Sequence, residues 1–435
     1  METLDLVIRN ATVVDGTGAG PVAADVGIRG DRIVGVGRIT ADARSTIDAG
    51  GKVVAPGFID VHAHDDFAVL DRPACEPKVM QGVTTEVIGN CGFGCAPVGD
   101  PKLAASAIYG FDDSIPLAWR GVGAYLDRLA AARPAVNVMT LVPNGQLRLA
   151  TVGLADRPAS AEELGRMRDL LREGLAEGAV GYSIGLEYPA EVGCGEDELV
   201  ALARDTGRAG GFYATHTRNR AVGAAAAVEE AIRTARAAEV RLQVSHLMPR
   251  SGDAESQRCL DVVEAARAKG QDIAFDMHTR LYGTTMLSTL LPPWALADGV
   301  AGLARHLASA ESRARIKRFP GIIASVGDWE KVVLLDVAGM PDVSRLSLAE
   351  IGRRRGRDPH DCALDILAAA GEALHRPMVI LNVMSEATQK LAFGHPLCMP
   401  GSDATTLAPD GPLAGAVFHG AYTWAAWFWR AIVCE

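Results

Sequence analysis

The chain has 435 residues, 49% of them hydrophobic and 22% charged, with a formal net charge of -10. That is enough apolar sequence for a large core, and the acidic balance without basic runs argues against a nucleic-acid partner. Eight dispersed cysteines lack the spacing of a secreted disulfide framework, which points to a reducing, cytoplasmic setting.

Residues 1 to about 52 read as a small β unit. Leu4–Ile8, Val26–Ile28 and Ile33–Val36 are short strands, with Gly30-Asp31 as the turn between the last two. From Val53 onward, short apolar strands alternate with Ala- and Leu-rich helices. Strands are expected to begin near Val53, Val83, Val136, Ala179, Phe212, Arg241, Asp272 and Leu397, with amphipathic helices over Ala161–Glu177 and Ala221–Ala238 among them. Eight such units predict a closed parallel α/β barrel, a (β/α)8 TIM barrel spanning 53–435. The excess length between Asp276 and Leu397, with Val332–Leu335 and Val379–Leu381 as extra strand-like runs, predicts an insertion that acts as a lid, placed at about 280–345. The apolar stretch Ala414–Cys434 is interrupted by His419 and Arg430 and reads as a buried helix, not a membrane span.

Val53, Val54, Phe58 and Ile59 read as a buried strand leading into Asp60-Val61-His62-Ala63-His64. Residues two apart on a strand share a face, so His62 and His64 point the same way and suit a divalent metal. Cys91, between glycine-rich turns in Gly89-Asn90-Cys91-Gly92, is read as exposed at the barrel mouth, and its thiolate is a strong zinc ligand. His216 and His246 each end an apolar run that follows a helix, and Asp403 in Gly401-Ser402-Asp403 follows the last strand. Any one of these has an ordinary structural explanation. All of them at strand ends form a metal site with more donors than one ion needs, and Asp403 can bind metal or move protons.

Six segments then establish a resemblance: Pro56–His64, Gln81–Thr85 running into Gly89–Gly92, Gly185-Leu186-Glu187-Tyr188-Pro189, Tyr213–His216, Val244–His246 and Gly401–Asp403. In this order they resemble the amidohydrolase superfamily, and within it the N-acyl-D-amino-acid deacylase (D-aminoacylase) family. The resemblance implies a metal-dependent barrel fused to a small β-sandwich, and zinc-dependent deacylation of an N-acyl-D-amino acid or related small N-acyl compound. It implies that Cys91, His216 and His246 hold a tight zinc, that His62, His64 and Asp403 form a second, weaker site, and that Asp403 is the general base and acid. No lysine is placed like the carboxylated metal bridge of other branches, a role open to Cys91.

Several positions depart from the family pattern. Met248 stands where the family has a carboxylate-binding lysine, Phe418-His419-Gly420 where it has Phe-Pro-Arg, and Pro143-Asn144 where it has Gly-His. A methionine cannot neutralise a carboxylate, so Arg218, Arg250 or Arg280 is expected to substitute, or the substrate lacks that group; Tyr188 remains a hydrogen-bond donor to substrate. Family members also continue beyond Trp427–Glu435 with strands that complete the sandwich, so the N-terminal strands are expected to lack those partners. Two other readings fit the fold: a cyclic-amide hydrolase of the dihydropyrimidinase type, and a catalytically silent amidohydrolase scaffold.

Overall fold

The computed structural model describes residues 3–405 and 420–434, which fall into two compact units, 1–58 and 59–435. In the first unit β1 (Leu4–Val13), β2 (Val22–Arg29), β3 (Arg32–Gly37), β4 (Ala43–Asp48) and β5 (Val53–Val54) form one five-stranded sheet. The sheet order is β3-β2-β1-β4, with β5 also pairing with β1. The β2–β3 turn is Gly30-Asp31, as expected, and the left-handed φ of 56° at Gly30 explains the glycine.

In the second unit β6 (Phe58–Asp60), β7 (Val83–Ile88), β8 (Asn137–Pro143), β9 (Gly181–Gly185), β10 (Phe212–His216), β11 (Arg241–Val244) and β12 (Ile273–His278) form consecutive neighbours in one sheet. Three further strands, β13 (Gly283–Met286), β14 (Val332–Leu334) and β15 (Met378–Leu381), make a separate antiparallel sheet in the insertion. The last strand, β16 (Cys398–Gly401), returns to pair in parallel with β12. Beyond β16 and β6, a parallel bridge between Ala63 and Ala404 brings the two ends of the eight-stranded sheet together into a nearly closed barrel. The helix Ala161–Ala176 starts with a capping box made by Ser160 and Glu163, and it packs Met167 and Leu171 into the core.

Three expectations change. Val53 through Ile59 is not one buried strand: Val53-Val54 pairs with Thr12-Val13, and Val53, Phe58 and Ile59 are 64%, 41% and 55% exposed. Pro56-Gly57 breaks the run, because proline has no N–H for a ladder. The insertion reaches from Gly283 to Leu381, since β15 lies between β13 and β14 and completes their sheet. The C-terminal run forms a helix over Gly420–Phe428 and buries Trp424, but Trp427 and Trp429 are 37% and 55% exposed. Phe418 and His419 lie outside the described residues.

Candidate metal centre and active site

The side chains expected to meet do meet, all at the C-terminal ends of barrel strands. His62 and His64 follow β6, Cys91 follows β7, His216 ends β10, His246 follows β11 and Asp403 follows β16. The two histidine rings after β6 lie 5.3 Å apart, centroid to centroid. Cys91 Sγ lies 3.3 Å from Nε2 of both His62 and His246. Donor atoms of Cys91, His216 and His246 all lie within 4.8 Å of one another, and so do those of His62, His64 and Cys91, and of His62, His246 and Asp403. Cys91 is thus common to two adjoining donor sets. It is buried, not exposed as the glycine-rich turns suggest. A side chain at Gly185 would collide with the Cys91 carbonyl, so that glycine lets the β9 end approach the loop.

Three of these residues carry a left-handed backbone: φ is 54° at Cys91, 36° at His246 and 44° at Asp403. Non-glycine residues adopt that region at a cost of about 1–3 kcal/mol each, and such strain collects where side-chain placement matters. Hydrogen bonds hold it in place. Asp403 N–H donates to the His62 carbonyl at 2.7 Å, and His246 N–H donates to Asp276 Oδ1 at 2.8 Å.

Around the donors lies a second ring of carboxylates. Asp276 Oδ1 sits 3.0 Å from His62 Nδ1, and its Oδ2 accepts from Gln243 at 2.6 Å. Glu187 Oε2 sits 2.7 Å from His216 Nε2, which leaves His216 Nδ1 buried with no hydrogen-bond partner. A carboxylate on the far nitrogen of a metal-binding histidine fixes the ring and raises its basicity. A buried polar atom without a partner needs a reason, and a cation between Cys91, His216 and His246 supplies one.

The electrostatics suit the same donors. Burial alone would push the Cys91 thiol up, but His62 and His246 hold it well below the ordinary thiol range. Burial and the Arg220 charge push the His246 imidazole down to about 4, which leaves it neutral and able to ligate. Asp403 is half-buried, which opposes ionisation, yet His64, His246, His62 and Arg280 hold it well below the usual carboxylate range. The donor chemistry of thiolate, imidazole and carboxylate is that of a divalent-metal site.

A small cavity opens over these donors; Tyr109, Tyr188, Arg220, Arg250 and His278 help to line it, together with Leu381 at the end of the insertion and Met384 just beyond it. A larger cavity, of about 990 Å³, shares Tyr188 with it. Of the residues named as substrate contacts, Tyr188 is in the wall. Arg218 instead pairs with Glu230 at 3.0 Å and bonds the carbonyls of Val192 and Cys194. Arg280 binds Asp403, its Nη2 lying 3.3 Å from Oδ2 and 2.7 Å from the carbonyl oxygen. Arg250 is held by Glu187 at 2.5 and 3.1 Å. Asn144, in the family's histidine position, is turned to Glu191 at 2.8 Å and Cys194 at 3.3 Å.

Sequence reasoning passed over five residues. Asp276 and His278 repeat, at the end of β12, the Asp-x-His spacing of Asp60 and His62, and that signal was available. Tyr109, Arg220 and Lys78 gave none. Lys78 is buried beneath the site, with Nζ 2.5 Å from Asp60, 2.9 Å from Asp65 and 3.5 Å from Glu86.

Residues 45–192 match the Amidohydrolase family. The D-aminoacylase of Alcaligenes xylosoxydans xylosoxydans is 38% identical over 289 residues, 66% of this chain and 59% of that protein. The N-acyl-D-glutamate deacylase of the same organism is 35% identical over 406 residues, 92% of this chain and 74% of that protein. Among solved structures, the N-acyl-D-glutamate deacylase of Bordetella bronchiseptica, complexed with zinc and a phosphonate mimic of the tetrahedral intermediate, superposes with a TM-score of 0.74 at 32% identity. That match covers 92% of this chain and 76% of the other. The chain therefore belongs to the D-aminoacylase (N-acyl-D-amino-acid deacylase) family of amidohydrolases, hydrolases of amide C–N bonds.

Proposed function

We propose that the chain deacylates an N-acyl-D-amino acid, with zinc bound tightly by Cys91, His216 and His246 and a second, weaker site formed by His62, His64 and Asp403. One observation carries this reading: a buried cysteine, imidazoles from three separate strand ends and an ionised aspartate converge around one cavity. The names of the relatives supply the substrate class and its D configuration. A divalent ion in this donor set acidifies water and polarises an amide carbonyl. The chain does the rest. Asp403, ionised and gripped by Arg280, takes the water's proton at its carboxylate and returns it to the departing amine nitrogen. Tyr188 donates a hydrogen bond to the bound substrate, and Leu381 and Met384 give it apolar wall to pack against. The cavity beyond Tyr188, walled partly by Phe93, Phe111, Leu117 and Leu296, suits a bulky apolar substituent on the substrate.

Among the described residues no helix is long and apolar enough to cross a membrane. The buried free cysteines suit a reducing cytoplasm.

Chelation followed by add-back tests the reading. Incubation with a strong chelator should abolish hydrolysis of a panel of N-acyl-D-amino acids, and zinc should restore it. Hydrolysis that survives complete metal removal, or a preference for hydantoins over every linear N-acyl compound, would contradict it.

A further inference from the structure

The arginines near the metal centre divide into those already neutralised and one that is not. Arg250 lies against Glu187, Arg280 against Asp403 and Arg218 against Glu230. Arg220, four residues beyond the end of β10, is only 8% exposed, and no described carboxylate lies within ion-pair distance of its guanidinium. Its backbone N–H donates to Glu187 Oε1 at 3.3 Å, and within the side chain a single nitrogen is held: Nη2 donates to the carbonyls of His246 and Met248 at 2.6 and 3.0 Å. Its Nε has no hydrogen-bond partner, and the side chain lines the cavity above the metal donors.

A buried cation without a counter-charge is costly, and it persists where something completes it. A structural arginine would spend its planar fork on fixed partners. Here two carbonyls take one nitrogen, and the rest of the fork is left to whatever enters the cavity.

We propose that Arg220 is the anion seat of this cavity and binds a carboxylate of the N-acyl substrate, in a chain whose Met248 offers no charge. The assignment rests on the deacylase reading for the identity of the anion, but not for its existence. It makes Arg220 a specificity-determining residue: acids are taken, and the corresponding neutral amides are refused. The same guanidinium rests on the His246 carbonyl, so the seat and a metal donor are fixed to one another.

Equilibrium binding tests this without relying on turnover. Calorimetry on zinc-loaded Asp403→Asn protein, in which turnover should be strongly slowed, compares N-acetyl-D-leucine with its neutral primary amide. A charge-assisted hydrogen-bonded pair in a buried site should favour the acid by about 10- to 100-fold. Arg220→Lys should keep part of that preference and Arg220→Met should lose it. Should Arg220→Met fail to fold, the acid-to-amide ratio with Arg220 intact, together with its reduction in Arg220→Lys, still decides. Equal binding of acid and amide with Arg220 in place, or an undiminished preference in Arg220→Met, overturns the proposal. The two readings fail separately. Hydrolysis of N-acyl amines without preference for acids would spare the deacylase assignment and remove this role from Arg220. Acid-selective binding with no turnover by the native protein would do the reverse.

Discussion

Asp403→Asn is expected to lower kcat by about 10²- to 10⁴-fold, the range that a positioned general base or acid contributes. Asparagine keeps the size and the hydrogen-bonding span of the side chain but has no carboxylate to receive a proton. The native group is well prepared for that task. Its Oδ1 is 3.3 Å from His64 Nε2 and 3.5 Å from His62 Nε2, and its Oδ2 faces Arg280 at 3.3 Å. These neighbours keep it ionised despite burial, the form that the proposed proton transfer from water requires at neutral pH. Steady-state kinetics with a saturating substrate measures the effect, with zinc content determined on the same sample so that metal loss is not mistaken for lost proton transfer. A variant with normal zinc and undiminished kcat would remove Asp403 from the mechanism.

Lys78→Met should produce the largest loss of stability. The ammonium is completely buried among Asp60, Asp65 and Glu86, and it also donates to Ser402 Oγ at 3.2 Å. Burial works against its charge, but the three acids hold it firmly protonated. Breaking a buried ion pair by deleting one partner typically costs about 3–5 kcal/mol, because the remaining charge is stranded. Urea denaturation followed by tryptophan fluorescence should show the midpoint falling accordingly. Asp60→Asn in the same chain should recover part of the loss, since the two sites share one interaction and their effects cannot add. Through Asp60, Lys78 is also linked to the backbone of the site. Asp60 Oδ1 accepts from Ser402 N–H at 2.8 Å and from His62 N–H at 3.4 Å, the backbone beside two of the site residues. Unchanged stability in Lys78→Met would mean that the acids simply take up protons when the lysine is lost.

The physics of the sequence explains what was legible. The starts expected near Val83, Val136, Phe212 and Arg241 match β7, β8, β10 and β11, because strands in a barrel covered by helices are continuous apolar runs bounded by polar turns. The donor residues were visible for the same reason: each interrupts or ends such a run with a side chain that water would otherwise solvate. The first barrel strand was misjudged because alternation was read across Pro56-Gly57, where the ladder must break. The bounds of about 280–345 stopped short of β15, although its strand-like run was visible, because β15 joins β14 only through sequence-distant pairing, as Val379 with Leu334.

Lys78 and Arg220 were hidden for a different reason. A lysine in Glu76-Pro77-Lys78 and an arginine in Arg218-Asn219-Arg220 look like solvated surface charge. What distinguishes them is burial against partners far along the chain: Ser402 for Lys78, and the His246 and Met248 carbonyls for Arg220. Asp276 is intermediate, since the Asp-x-His spacing with His278 marked it but its grip on His62 spans 214 positions.

The most direct test of the central claim is zinc K-edge X-ray absorption on the zinc-reconstituted native protein and on Cys91→Ala. The native spectrum should require one sulfur at about 2.3 Å together with nitrogen or oxygen donors at about 2.0–2.1 Å, and the sulfur contribution should vanish in the variant. A native spectrum fitted by nitrogen and oxygen alone, or a sulfur shell that survives loss of Cys91, would contradict the convergence on which the account rests.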